Sequence, residues 1–144
     1  MPEKTAEELR KDGFFISGDL GKIDSDGYIH IVGRNKDVII SGGYNIYPKE
    51  IELLLDDQAG VLESSVIGVA HADLGEAVVG ILVPENDTTP NLDEIKQNIS
   101  KSLAKYKQPK KLIVIPEIPR NTMGKVQKNL LREKYKDVCL TIEC

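Results

Sequence analysis

Residues 61–83 read VLESSVIGVAHADLGEAVVGILV. Two runs rich in Val and Ile, Val61 to Val69 and Ala77 to Val83, have the length and composition of strands, and the polar stretch between them holds His71, Asp73 and Gly75. The spacing predicts two strands joined by a turn. Upstream, Pro48 suits the first turn of a helix whose apolar stripe is Ile51, Leu54 and Leu55; Glu50 and Glu52 suit its dipole, and Gly60 ends it. Downstream, Leu92, Ile95, Ile99, Leu103 and Tyr106 recur at three- and four-residue spacing, which predicts an amphipathic helix stopped by Pro109. A strand over Lys111 to Ile115, a loop, and a helix over Val126 to Lys136 with Leu130 and Leu131 inward complete this half. The expected fold is α+β, a small three-stranded sheet flanked by helices.

A different pattern leads into it. Residues 1–12 are polar and helix-compatible, and Phe14-Phe15-Ile16 reads as a short strand. Leu20 to Ile23 and Tyr28 to Val32 flank Asp24-Ser25-Asp26-Gly27, the signature of a β-hairpin with Asp-Gly at its tip. Gly33-Arg34-Asn35-Lys36-Asp37 interrupts the pattern as a boundary or hinge. Val38 to Ile40, the turn Ser41-Gly42-Gly43 and Tyr44 to Tyr47 then read as a strand, a tight turn and a short return strand.

The chain has 144 residues, 40% hydrophobic and 29% charged, a globular composition that can bury a core. There is no apolar run of 18 residues to cross a membrane, and the polar first 15 residues do not read as a signal peptide. Cys139 and Cys144 read as free thiols of a reducing, cytoplasmic setting, and no zinc or other metal site is expected. Charge is unevenly spread: 7 Lys/Arg against 19 Asp/Glu up to Ile95, then 12 against 2 from Lys96 to Lys136. The basic half suits an anionic ligand. Only Tyr106 and Tyr135 are aromatic there, without a stacking or recognition-helix motif, so small phosphorylated ligands such as ATP and coenzyme A fit at least as well as nucleic acid.

Pro119-Arg120-Asn121-Thr122-Met123-Gly124-Lys125 presents one cation at the end of a Gly-containing turn. It is not a P-loop: Pro119 and Val126 stand where that pattern needs Gly and Ser or Thr. Without further context Lys125 is an ordinary solvated lysine.

Context comes from three segments taken together. Ser17-Gly18-Asp19, then "GRNKDVIISGGYNIYPKEIE" from Gly33 to Glu52, then "PRNTMGKVQKNLLR" from Pro119 to Arg132 resemble the adenylate-forming acyl-CoA synthetases in order and spacing, with wording similar to malonyl-CoA synthetases. The resemblance implies that residues 1–33 are the tail of a large N-terminal domain, that residues 34–37 around Lys36 are a hinge, and that residues 38–144 are a mobile C-terminal lid. It implies a fragment inactive alone, whose partner is the N-terminal domain carrying the phosphate loop, the acyl pocket and most contacts to ATP and Mg. In such enzymes a carboxylate attacks the α-phosphate of ATP to give an acyl-adenylate, and the thiol of coenzyme A then displaces AMP. By likeness, Lys125 is the catalytic cation of the first step, Asp19 accepts from the ribose hydroxyls, Arg34 contacts the nucleotide, and Ser41, Gly42 and Gly43 face coenzyme A. Two other readings stand beside this one: the lid of an adenylation domain that loads a carrier protein, and a non-enzymatic anion-binding module. Homo-oligomers through exposed strands of residues 14–33 are a further expectation.

Overall fold

The computed structural model of the protein describes residues 2–86 and 88–140. The chain divides into two units, Met1–Asp37 and Val38–Cys144. In the first, helix α1 (Pro2–Glu8) precedes an antiparallel hairpin of β1 (Asp19–Ile23) and β2 (Ile29–Arg34). At its tip, Asp24 Oδ1 accepts from the amides of Asp26 (3.0 Å) and Tyr28 (2.9 Å), and Asp24 Oδ2 lies 2.6 Å from His30 Nε2. The His30 hydrogen bond, followed by that from Tyr28, holds the Asp24 carboxyl below its ordinary value of 3.8. Phe14-Phe15-Ile16 is not a strand. Gly13, at φ +86°, folds this segment back on the end of α1, where Leu9 and Phe15 form a single bridge.

The second unit is built on β5 (Val61–His71) and β6 (Gly75–Pro84), an antiparallel pair along their whole length. Helix α2 (Pro48–Asp56) precedes them, and Pro48 stands at its first turn as its fixed φ favours. After β6, helix α3 (Leu92–Ser100) carries the chain back to β7 (Lys111–Val114), which pairs with β6 in parallel. A parallel neighbour cannot be reached by a tight turn, and α3 supplies the crossover. The sheet has five strands rather than three. Strands β3 (Ile39–Ser41) and β4 (Tyr44–Ile46) form a hairpin that joins β6 where Ser41 pairs with Gly75. Burial explains the addition, because Ile39 and Ile46 are 1% and 0% exposed and pack into the core beside α2.

Both faces of the sheet are covered. Val66, Val78 and Leu82 meet Ile51 and Leu55 of α2 and Ile95 and Ile99 of α3, whereas Ile67, Val69, Ala77, Val79 and Ile81 meet Leu131 of helix α4 (Lys128–Tyr135). Alternate residues of one strand therefore serve opposite cores, which is why β5 and β6 read as nearly continuous apolar runs. Gly80 is the exception on the α2 face. A Cβ there would lie 2.7 Å from Leu112 Cδ2 and 3.2 Å from Leu55 Cδ1, so its absence lets α2 and β7 close on the sheet.

Two helical expectations are corrected. Leu131 is buried, but Leu130 is 47% exposed, because successive helix positions turn by about 100° and α4 offers the sheet one stripe. Helix α3 ends at Ser100, nine residues before Pro109; Tyr106 lies in a separate turn of 3-10 helix, Lys105–Lys107. The free-thiol reading fails at Cys139, which is buried and disulfide-bonded; Cys144 lies outside the described residues. No helix among the described residues is long and apolar enough to cross a membrane.

Candidate functional site

The loop from Pro119 to Lys128 is organised by two side chains. Asn121 Oδ1 accepts from the amides of Met123 (3.0 Å) and Lys125 (2.9 Å), and the Asn121 amide donates to the Lys125 carbonyl at 2.9 Å. Arg120 Nη1 donates to the Gly124 carbonyl at 2.8 Å, while its Nη2 pairs with Glu63 on β5. Gly124 sits at φ +76°, a conformation glycine takes without strain. The backbone of Lys125 is thereby fixed on both sides. Its side chain is exposed, and its ammonium has no ion-pair partner among the described residues.

At the start of α4, Lys128 Nζ lies 2.6 Å from Glu52 Oε1 and donates to the Val66 carbonyl at 3.1 Å. Glu52 Oε1 also accepts from the Val66 amide at 2.9 Å. Glu52 therefore does more than suit the dipole of α2: it is 8% exposed and pairs across the edge of β5.

Gly42 and Gly43, at φ +57° and +84°, form the two-residue turn between Ser41 and Tyr44, the geometry that only residues tolerant of positive φ supply. The Gly42 amide donates to the Leu74 carbonyl at 2.8 Å, which seats this turn against the β5–β6 turn. A Cβ on Gly43 would meet nothing within 4 Å, so the turn presents bare backbone on an open face. Next to it is a cleft of about 440 Å³ whose lining includes Ser41, Gly42, Tyr44, Lys105, Tyr106 and Lys110. Tyr44 and Tyr106 stack with ring centroids 4.6 Å apart, and Lys107 Nζ stands 5.9 Å from the Tyr106 ring. Glu50, accepting from Lys107 at 2.8 Å, raises the ammonium above its ordinary value and keeps it charged. An apolar surface beside several cations suits a ligand with an aromatic ring and phosphates.

In the first unit, Asp19 and Arg34 face each other across β1 and β2, with Arg34 Nε 3.5 Å from Asp19 Oδ1. Lys36 is exposed in the 3-10 turn Asn35–Asp37, the last residues of that unit. Thus Asp19 and Arg34 are brought together, and so are Ser41, Gly42 and Gly43. Lys125 belongs to the same unit as the glycine turn but to its other end. The Lys125 loop is tied to Glu63 near the start of β5, and the glycine turn to the β5–β6 turn after His71. Eight residues of strand separate those points, roughly 26 Å at ~3.3 Å per residue. Among the described residues, no group of three or more His, Cys, Asp or Glu is placed to hold a metal ion.

Residues 50–125, just over half of the chain, match the family described as AMP-binding enzyme C-terminal domain. The chain belongs to this family. It is 42% identical over 123 residues to the indoleacetate–CoA ligase of Aromatoleum aromaticum, covering 85% of this chain and 24% of that protein. The crystal structure of ATP-bound MatB from Rhodopseudomonas palustris superposes with a TM-score of 0.85 at 56% identity, over 96% of this chain and 27% of that one. The o-succinylbenzoate CoA synthetase (MenE) of Bacillus subtilis, in complex with the acyl-adenylate OSB-AMP, gives a TM-score of 0.82 at 35% identity, over 94% and 27%. The chain spans about a quarter of the length of these relatives.

Within this AMP-binding C-terminal domain, sequence reasoning missed the part several residues play in shaping the site. Asn121 was detectable, since an Asn three positions before a turn glycine is a common Asx-turn arrangement. Tyr106 was noticed as a helix position and as an aromatic of the basic half, but not as part of the lining of a cleft. Glu52 and Lys128 stand 76 residues apart, and no local pattern announces their pairing.

Proposed function

We propose that this chain is the C-terminal part of an ATP-dependent carboxylate–CoA ligase of cytoplasmic acyl metabolism, acting on malonate or another short acid. Residues 1–33 are the tail of its N-terminal domain, residues 34–37 the hinge, and residues 38–144 the lid. The break between units after Asp37 supports that division. Lys125 is the catalytic cation, Asp19 and Arg34 bind the nucleotide, Lys36 serves the hinge, and Ser41, Gly42 and Gly43 face coenzyme A. ATP, with Mg, is held mainly by the N-terminal domain.

The observation that carries this reading is the separation of two unlike sites on one stiff unit. Lys125 offers an ammonium that is unpaired among the described residues, on a fixed backbone. Such a preorganised cation offsets repulsion between a carboxylate and a phosphate and stabilises the charge that develops between them. Seated at the far end of β5, the glycine turn offers bare backbone beside an apolar, cation-flanked cleft, which suits a narrow chain ending in a nucleotide. One reacting centre cannot meet both ends at once, so the two ends suit two successive steps. Asp19 can accept two hydrogen bonds from a diol, and Arg34, with Nε 3.5 Å from its Oδ1, orients that carboxylate.

The test is Lys125→Ala in the complete ligase. Adenylate formation, followed as pyrophosphate release, should fall about 10²- to 10³-fold. Thioester formation from supplied acyl-adenylate should be retained. Equal loss in both half-reactions would refute the assignment.

A further inference from the structure

We infer that Arg120 and Lys128 are positioning residues for Lys125, tying the two ends of its loop to the open edge of β5. The inference rests on the reading of Lys125 given above. Strand β5 pairs only with β6, so its other edge is open to side chains. At that edge Val66 donates its amide to Glu52 and gives its carbonyl to Lys128, whose ammonium is paired with the same Glu52 oxygen. The Lys128 and Glu52 side chains are 16% and 11% exposed. Removing either partner would strand a charge in a largely dry setting, so the pair has one favourable geometry. Since Glu52 belongs to α2 and Lys128 begins α4, the pair wraps the strand edge and joins the helices of opposite faces.

The other tie is Arg120. Its planar guanidinium donates to the Gly124 carbonyl and to Glu63, so the residue before Lys125 is held against β5 by a single rigid group. Between these ties, Asn121 closes the loop on the Lys125 backbone. Among the described residues the Lys125 side chain has no partner of its own, so this framework is what sets its placement. That is the situation in which a displacement of about 1 Å can cost about 10²-fold in rate.

In the complete ligase, Arg120→Met cuts one tie at a half-exposed site where the fold should survive. The expected result is an adenylation kcat lowered by about 10²-fold at unchanged KM for ATP. Thioester formation from supplied adenylate should be retained, and the amides of Met123 and Lys125 should exchange hydrogen faster by mass spectrometry. Glu63→Gln, which keeps an acceptor for Arg120, should retain most of the rate. Lys128→Met should act the same way; should it fail to fold, Arg120→Met decides alone. Retained adenylation in Arg120→Met beside a strong loss in Lys125→Ala overturns the positioning role and leaves the reading of Lys125 intact. Equal loss in both half-reactions with a lowered Tm overturns it too, as a purely structural effect. Undiminished adenylation in Lys125→Ala sinks the functional reading itself.

Discussion

Gly43 separates a ligand-facing turn from a mere hairpin turn. Its φ of +84° places it in the left-handed region, and a Cβ there would touch nothing within 4 Å. Gly43→Ala therefore adds backbone strain but no clash, about 1–2 kcal/mol for a non-glycine residue in that conformation. With a urea m-value of about 1–3 kcal/mol/M, the unfolding midpoint should drop by roughly 0.3–2 M. Gly43→Asn should drop it less, because Asn tolerates positive φ. Both variants project a side chain from the open face beside the Tyr44–Tyr106 cleft. If coenzyme A must pass there, the added side chain costs the passage about 1–3 kcal/mol. That is roughly 5- to 150-fold in rate at 1.36 kcal/mol per tenfold. The assay is thioester formation from supplied acyl-adenylate, beside pyrophosphate release, in the complete ligase. Gly43→Asn should slow the first, spare the second and stay folded. An unchanged thioester rate in a folded Gly43→Asn enzyme would refute the assignment and leave the glycines as turn-formers only.

Other outcomes follow from the packing and the charges. Leu131→Ala should cost about 2–5 kcal/mol in denaturant unfolding, whereas Leu130→Ala should stay within about 0.5 kcal/mol, since only Leu131 enters the core. Gly80→Ala should destabilise by about 1–3 kcal/mol through its contacts with Leu112 and Leu55; a neutral result would mean that α2 and β7 can spread. Because the Asp24 carboxyl is held below 3.8, its stabilisation of the hairpin is complete above that pH and lost as pH falls through its lower folded value. Asp24→Asn should abolish this acid dependence, read from the amide shifts of Asp26 and Tyr28 in an NMR titration.

Much of the second unit was legible because its signals are local. Continuous apolar runs marked β5 and β6, Pro48 marked the start of α2, and Gly42-Gly43 marked a tight turn. What failed needed contacts that sequence spacing does not encode. Tyr106 continues the periodicity of α3, yet the chain turns at Ala104, at ψ 146°, and the ring is recruited by Tyr44, sixty-two positions upstream in number but adjacent in space. Leu130 and Leu131 are equally apolar, and only the direction of one buried stripe chooses between them. The hairpin β3–β4 joined the sheet through a single bridge at Gly75, too small a feature to leave a pattern. In the site, the glycines and Lys125 were visible as residue types in a motif. The side chains that hold them were not, because Glu63 and Arg120 are 57 residues apart and their pairing exists only once β5 has formed.

The same contacts bear on the proposal that two sites share one lid. β5 and β6 are buried on both faces, and a close-packed two-sided core does not bend to bring its ends together. The ion pairs at Glu52 and Glu63 add ties along the one open edge. A loop rearrangement alone therefore does not bring Lys125 and the glycine turn together; on the proposed reading, in which each serves one reacting centre in turn, the whole unit would turn as a body. On that proposal the backbone change falls in the short run before Val38, at the boundary between the two units, where Lys36 lies exposed in a single turn of 3-10 helix. On this proposal, rigidity in the sheet and a change of backbone angles at Lys36 are two halves of one requirement. A lid that could flex internally would have no need of a hinge.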